Sequence, residues 1–232
     1  MKLLSVIGGL LFPPRCASCL KVLEKRNVFC GNCMPEIPFV EGETCEKCGI
    51  SLSPDFPSPI CGRCRRRNFH FDKNISVLEH YGKGRQAILN MKYKSSAVIK
   101  DMAFLLAERI KRENLHFDLV TFIPMTRKEE REKDIHITYF LSKYLAKYIG
   151  VKHSELISKI RETKKQKELT EKERILNVRG AYKVCRDVEG MSILLVDDVF
   201  TTGATMDECA KILKRAGAVN VFCTTASIRD RE

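Results

Sequence analysis

The sequence predicts an α/β fold: a parallel sheet flanked by helices, preceded by a small double ribbon that binds metal. Three observations carry this. Eight of the eleven cysteines lie between positions 16 and 64 as four C-x-x-C pairs, a spacing suited to soft-ligand metal sites. From Asn68 onward strand-like and helix-like runs alternate, as in a parallel sheet with helices on both faces. At 192–205 an apolar strand runs into two carboxylates and a hydroxyl-rich glycine turn, and ligands of such sheets bind outside the carboxyl ends of the strands. A chain of 232 residues is long enough for one sizeable core plus a module. The expected division is 1–67 for an N-terminal helix and the ribbon and 68–232 for the α/β domain.

The chain opens with an apolar run at 1–12 that carries one positive charge, has no small-x-small cleavage site before Cys16 and is stopped by Pro13-Pro14. It is shorter than the roughly 20 residues of a membrane-spanning helix. A short helix packed on the body is expected, with no stable membrane insertion and a cytoplasmic location.

The cysteines follow as C-x2-C-x10-C-x2-C, formed by Cys16, Cys19, Cys30 and Cys33, and C-x2-C-x12-C-x2-C, formed by Cys45, Cys48, Cys61 and Cys64. Each C-x-x-C turn brings two sulfurs to one ion, and two turns close a tetrahedral site with no open position, so two structural zinc ions are expected. A crossed pairing of the first and third turns is possible. The sequential one is expected because each intervening stretch can form a hairpin. Gly31 and Gly49 would support the tight backbone. A disulfide framework is disfavoured without a secretion signal, and a redox motif by the fourfold repetition. Cys185, Cys209 and Cys223 stand in or beside apolar runs and read as small core residues. Two tetrathiolate sites would bring the formal net charge of +12 to about +8, still attractive to a polyanion. Arg63 and Arg65, Arg66 and Arg67, followed by Phe69 and Phe71, could meet single-stranded nucleic acid. The favoured reading is that Arg65, Arg66 and Arg67 line a solvated linker while the phenylalanines open the first strand of the next domain.

Along the α/β region the expected elements are a strand at 75–81, helices at 85–91 and 98–112, a strand at 119–124, a helix at 135–149 and a strand at 155–160. A charged polar stretch runs to 178. A short strand at 181–185, the strand beginning at Ser192, a helix at 206–216 stopped by Gly217 and a strand at 219–226 complete the order. The run from Ile193 to Val196 is continuously apolar, as in a strand buried on both faces. Thr201, Thr202, Gly203, Ala204 and Thr205 then fall at a helix N-terminus, where free N–H groups and the helix dipole favour a phosphate. Asp197 and Asp198 are acceptors suited to ribose hydroxyls. The chain contains no G-x-x-x-x-G-K-[ST] run, so a P-loop nucleotidase is not supported. A receiver-like domain would give the Thr-Thr-Gly-Ala-Thr segment no role.

This apolar run, acidic pair and Thr-Thr-Gly resembles the 5-phosphoribosyl 1-pyrophosphate (PRPP) motif of type I phosphoribosyltransferases. Together with the cysteine ribbon in front of it, nearly the whole chain resembles the ComF family of double zinc ribbon phosphoribosyltransferases. Arg161, Thr163, Gln166, Leu169, Arg174, Asn177, Gly180 and Ala181 fall at that family's R-x-T-x-x-Q-x-x-L-x-x-x-x-R-x-x-N-x-x-G-A spacing, a flexible catalytic loop in related transferases. The resemblance implies a type I phosphoribosyltransferase-like sheet that binds PRPP with magnesium. It implies ligand contacts from Lys92 beside Tyr93, from a pyrophosphate loop at Met125, Thr126 and Arg127, and from Asp197, Asp198 and the 201–205 turn. Arg161 and Lys164 would act with the two aspartates in catalysis. Where the family carries R-G-F-N-Q this chain has Lys133-Asp134-Ile135-His136-Ile137, and His136, at a helix start, reads as a capping residue rather than a base. The implied setting is DNA uptake. A second expectation is a non-catalytic adaptor for single-stranded DNA and a helicase-like partner.

Overall fold

The computed structural model describes residues 13–25, 27–93, 96–126, 128–129, 135–164 and 169–229. The helix expected at 1–12 lies outside them. The sheet consists of five parallel strands: β1 (Asn74–Glu79), β2 (Leu119–Phe122), β3 (Lys152–His153), β6 (Ser192–Phe200) and β7 (Asn220–Ile228), in the order β1-β7-β6-β2-β3. β6 is central, paired from Leu119↔Ile193 to Phe122↔Val196 on one side and from Ser192↔Asn220 to Phe200↔Ile228 on the other. Its continuous apolar run serves two cores by strict alternation: Ile193 and Leu195 face one cluster, Leu194 and Val196 the other, as expected of a strand covered on both faces.

Among the described residues the α-helices of five residues or more are α1 (Gly62–Arg66), α2 (Gly82–Tyr93), α3 (Ser96–Lys111), α4 (Ile137–Ile149), α5 (Glu171–Val178) and α6 (Ala204–Arg215). α2, α3 and α4 cover one face through Ile88, Met91, Met102, Leu106, Leu141 and Leu145. α6 covers the other through Met206, Cys209, Ala210 and Leu213. None of the helices among the described residues is long and apolar enough to cross a membrane.

Three expectations change. The segment at 155–160 is not in the parallel sheet: β4 (Ile157–Lys159) pairs antiparallel with β5 (Tyr182–Val184) in a separate two-stranded sheet. The fifth parallel strand is β3, two polar residues whose pairing is imposed by β2 and which carry no apolar signal of their own. The charged stretch contains α5, opened by a capping box in which Thr170 Oγ1 accepts from Glu173 N–H and the Glu173 carboxylate accepts from Thr170 N–H, a reciprocal arrangement that satisfies two orphan donors. Cys209 and Cys223 are fully buried and burial pushes both thiols well up, whereas Cys185 is exposed because the chain leaves β5 at the rim of the small sheet.

The ribbons pack on the body from both sides. Cys45, Cys48, Cys61 and Cys64 share a core with Phe69, Phe71, Leu195, Phe200 and Ala210, while Cys16 and Cys33 share the other with Ile75, Leu78 and Met91. Gly49, at φ +71°, closes the turn after Cys48, and a Cβ there would lie 2.3 Å from Asn74 O. The corresponding position after Cys19 is Leu20, at φ 62°, whereas Gly31 has no positive φ and nothing within 4 Å of a Cβ, so its backbone turn does not require glycine.

Candidate functional site

The cysteines gather sequentially. The sulfurs of Cys16, Cys19, Cys30 and Cys33 form one group and those of Cys45, Cys48, Cys61 and Cys64 another, all within 4.8 Å of one another in each. Cys19 and Cys30 Sγ are 3.8 Å apart, and Cys48 and Cys61 Sγ 3.7 Å. A tetrahedron with Zn–S bonds of about 2.3 Å has edges of about 3.8 Å, so both donor sets fit zinc. The first group has Cys19 exposed; the second is buried throughout. Crowding splits the second group's acidities. Hydrogen bonds from Cys48 and Cys64 hold the Cys45 thiol well below the ordinary cysteine range, and its partner Cys48 is pushed up to about 12, chiefly by that same contact. Metal binding to such a cluster requires thiolates and so releases protons.

At the carboxyl end of β6, Asp197 and Asp198 are half-buried, and Asp198 N–H donates to Asp197 Oδ1 at 2.8 Å. Lys92, at the end of α2, places Nζ 2.5 Å from Asp198 Oδ2. Burial lowers the pKa of its ammonium, but Asp198, with Asp197 behind it, outweighs that and raises it above the usual lysine value. The turn follows at once. Thr202 is buried and its Oγ1 accepts from Ala204 N–H at 3.3 Å. Gly203 sits at φ +72°, and a Cβ there would lie 2.5 Å from Phe200 Cζ and 3.1 Å from Phe69 Cε1. The first free N–H groups of α6 open beside it. Asp197, Phe200, Thr201, Gly203, Ala204 and Thr205, with Val199 and Met206, line a cavity of about 20 Å³, room for about one water.

The turn is braced from outside. Arg63 Nη1 donates to Thr201 O at 3.0 Å and Arg67 Nη1 to Thr202 O at 2.8 Å. Arg174, buried on α5, donates through Nη1 to Thr201 Oγ1 at 3.3 Å and through Nε to Leu169 O at 3.0 Å. The arginine run is therefore not a solvated linker throughout: Arg65 and Arg66 are exposed, but Arg63 and Arg67 turn inward. Nor do Phe69 and Phe71 open a strand. Both are buried against Phe200 ahead of β1. No local signal marks Arg63 or Arg67 as braces, because their partners lie 138 and 135 residues away.

Met125 and Thr126 follow β2, next to β6 in the sheet. Thr126 N–H donates to Glu129 Oε2 at 2.7 Å, and Lys159 Nζ lies 2.9 and 3.0 Å from the two Glu129 oxygens. Burial raises the Glu129 pKa, yet Lys159 and Thr126 N–H together hold it below the usual carboxylate value. An intramolecular carboxylate thus occupies an amide of the expected pyrophosphate loop. Arg127 lies outside the described residues, as does Gln166. Arg161 is tied to the end of α5, its Nη2 donating to Asn177 O at 2.9 Å and Arg179 O at 3.0 Å. The backbone of Lys164 is held by Asn177 through two bonds of 2.9 Å. The structure therefore sets Asp197 with Thr201, Gly203, Ala204 and Thr205 around the small cavity, pairs the neighbouring Asp198 with Lys92, and ties Arg161 and Lys164 to the C-terminal end of α5. His136 caps α4, accepting from Tyr139 N–H at 3.2 Å. His80, which no sequence signal marks, follows β1 with Nδ1 2.8 Å from Ser227 Oγ. Burial, then Arg229, Lys92 and Arg85, push its pKa down to about 4, leaving a neutral imidazole near the carboxylates.

Residues 7–65 match the double zinc ribbon domain and residues 139–230 the phosphoribosyl transferase domain. The chain is 27% identical over 188 residues to DNA utilization protein YhgH of Salmonella typhimurium, spanning 77% of this chain and 82% of that protein. It is 23% identical over 223 residues to Competence protein F of Haemophilus influenzae, spanning 89% and 93%. It is 25% identical over 212 residues to Competence protein ComFC of Bacillus subtilis, spanning 85% and 82%. The four cysteine turns, the parallel sheet and these relatives identify the chain as a ComF-like protein, a double zinc ribbon joined to a phosphoribosyltransferase domain.

Proposed function

We propose that the carboxyl edge of the sheet binds PRPP with Mg²⁺ and transfers its phosphoribosyl group to an acceptor, in the service of DNA uptake or utilization. One observation carries this: Asp197 and Asp198 stand in the last residues of β6, which ends at Phe200, just ahead of the glycine turn that starts α6, so ribose acceptors and phosphate donors are close by construction. The cavity holds a phosphate oxygen at most, so the ribose would lie across its mouth against the two carboxylates. In the reaction the bond from the anomeric carbon to pyrophosphate breaks, and a bond to the acceptor nucleophile forms as its proton leaves. Asp197 and Asp198 would stabilise positive charge growing on the ring, and Lys92 would keep Asp198 ionised and oriented. Bound magnesium would neutralise the departing pyrophosphate. Arg161 and Lys164 would join it only if the segment carrying them moves toward the carboxylates, a closure familiar in other enzymes.

The test is calorimetry of PRPP with Mg²⁺. Wild-type protein is expected to bind, and the Asp197→Asn, Asp198→Asn double variant to bind at least about a hundredfold more weakly, near 2.7 kcal/mol. Absence of binding in folded, zinc-loaded wild-type protein rejects the proposal. The adaptor reading is favoured by the exposed Arg65 and Arg66 on the ribbon. It predicts no pyrophosphate release and loss of single-stranded DNA binding when both become Ala.

A further inference from the structure

The geometry points to a line of force from the second cysteine cluster into the phosphate turn: Arg63 and Arg67 are positioning residues that make affinity at the turn depend on metal in the Cys45, Cys48, Cys61 and Cys64 site. This rests on reading the 201–205 turn as a phosphate site. Arg63 lies inside the second C-x-x-C turn of that cluster, between Cys61 and Cys64, and Arg67 three residues beyond it. A metal tying Cys61 and Cys64 to Cys45 and Cys48 would fix the backbone from which both guanidinium groups project. The groups are held along their length as well. Arg63 lies 5.3 Å from the centre of the Phe200 ring, and Arg67 4.4 Å from that of Phe69 and 3.7 Å from Asp207 Oδ2. Phe200 and Phe69 are the rings that pack against Gly203.

The direction of the two hydrogen bonds supplies the mechanism. Both arginines donate to carbonyl oxygens, of Thr201 and Thr202. In a trans peptide the N–H points away from the C=O of the same plane. Fixing the Thr201 and Thr202 carbonyls toward the ribbon therefore fixes the Thr202 and Gly203 N–H groups toward the opposite edge. A charged donor on the carbonyl also polarises the peptide and makes its N–H a stronger donor. The ribbon's cations would thus serve an anion through two peptide planes without touching it. Arg63 is chemically committed to this position. Its Nη1 donates to Thr201 O at 3.0 Å, while Nε and Nη2 are buried without a hydrogen-bond partner.

Coupling of this kind is reciprocal, which gives a readout independent of turnover. In cadmium-113-substituted protein, ribose 5-phosphate should shift one of two metal resonances, and the Arg63→Met, Arg67→Met pair, with every cysteine intact, should abolish that shift. The Met pair should keep two metals per chain and the wild-type circular dichroism. It should bind ribose 5-phosphate about tenfold more weakly while binding pyrophosphate with Mg²⁺ as before, and the Arg63→Lys, Arg67→Lys pair should recover part of the loss. Equal weakening of both ligands, or ribose 5-phosphate binding in which neither resonance moves, overturns the inference. Should wild-type protein bind no ribose 5-phosphate, the functional reading fails. The brace is then decided without ligand: the Thr202 and Gly203 amide resonances must move in the Met pair, and unmoved resonances overturn it.

Discussion

Gly203 carries two demands at one atom, a left-handed φ of +72° and a contact with Phe200 that leaves 2.5 Å for any Cβ. Gly203→Ala is therefore expected to cost about 1–3 kcal/mol and to lower the calorimetric midpoint by several degrees. Glu129 behaves differently, through protonation. Its folded pKa lies below its unfolded one, so its contribution to stability is fully present above the unfolded carboxylate value and is lost as pH falls through the lower, folded value. Denaturant titrations at a series of acid pH values should show Glu129→Gln flattening that limb. The variant should also be less stable than Glu129→Leu with Lys159→Met, because the single change strands Lys159, whose side chain is 6% exposed, without its counter-charge. The residues legible in advance were those whose partners are near in sequence: Asp197, Asp198 and the turn belong to one strand-turn-helix. Glu129 with Lys159, and His80 with Ser227, were not legible, since only the closed sheet brings 30 and 147 residues of separation to contact.

At the scale of elements, α5 is where a local signal was present but outweighed. Eight basic and four acidic side chains at 159–179 suit a mobile lid and a solvated loop equally, yet Thr170-Glu171-Lys172-Glu173 is a capping box and α5 forms behind it. Thr170→Ala should destabilise α5 by about 1 kcal/mol. Because Arg174 on α5 reaches Thr201, amide hydrogen exchange should quicken in the 201–205 turn as well as in α5. Exchange confined to α5 would show that the Arg174 contact carries nothing. β3 went unmarked, and β4, though expected as a strand, joined a different sheet, for the opposite reason. The segment at 155–160, with Leu156, Ile157 and Ile160 among polar residues, competes well for the name of strand, but which sheet it joins is set by partners: β5 takes it antiparallel, and two polar residues of β3 fill the edge beside β2.

For the whole molecule, the two cysteine groups predict unequal metal loss. The first group has Cys19 at the surface, while all four sulfurs of the second are buried in the core that holds Phe71, Leu195 and Ala210. Metal analysis should return about two zinc ions per chain, and a chelator should remove them in two phases, the faster from the first group. Cys48→Ser should lower the unfolding midpoint more than Cys19→Ser, since only the former removes a ligand lodged beneath β6 and α6. A single release phase with equal midpoints would contradict the asymmetry.

The 138 residues between Arg63 and Thr201 also set a schedule. At about 5–20 residues per second of synthesis, the second ribbon leaves the ribosome roughly 7 to 28 s before the turn it is to hold. Throughout that interval Phe69 and Phe71 have no Phe200 to pack on, and the cysteines can already bind zinc. Metal capture is the early event and docking the late one, so zinc scarcity during translation would reach the 201–205 turn before that turn has been made.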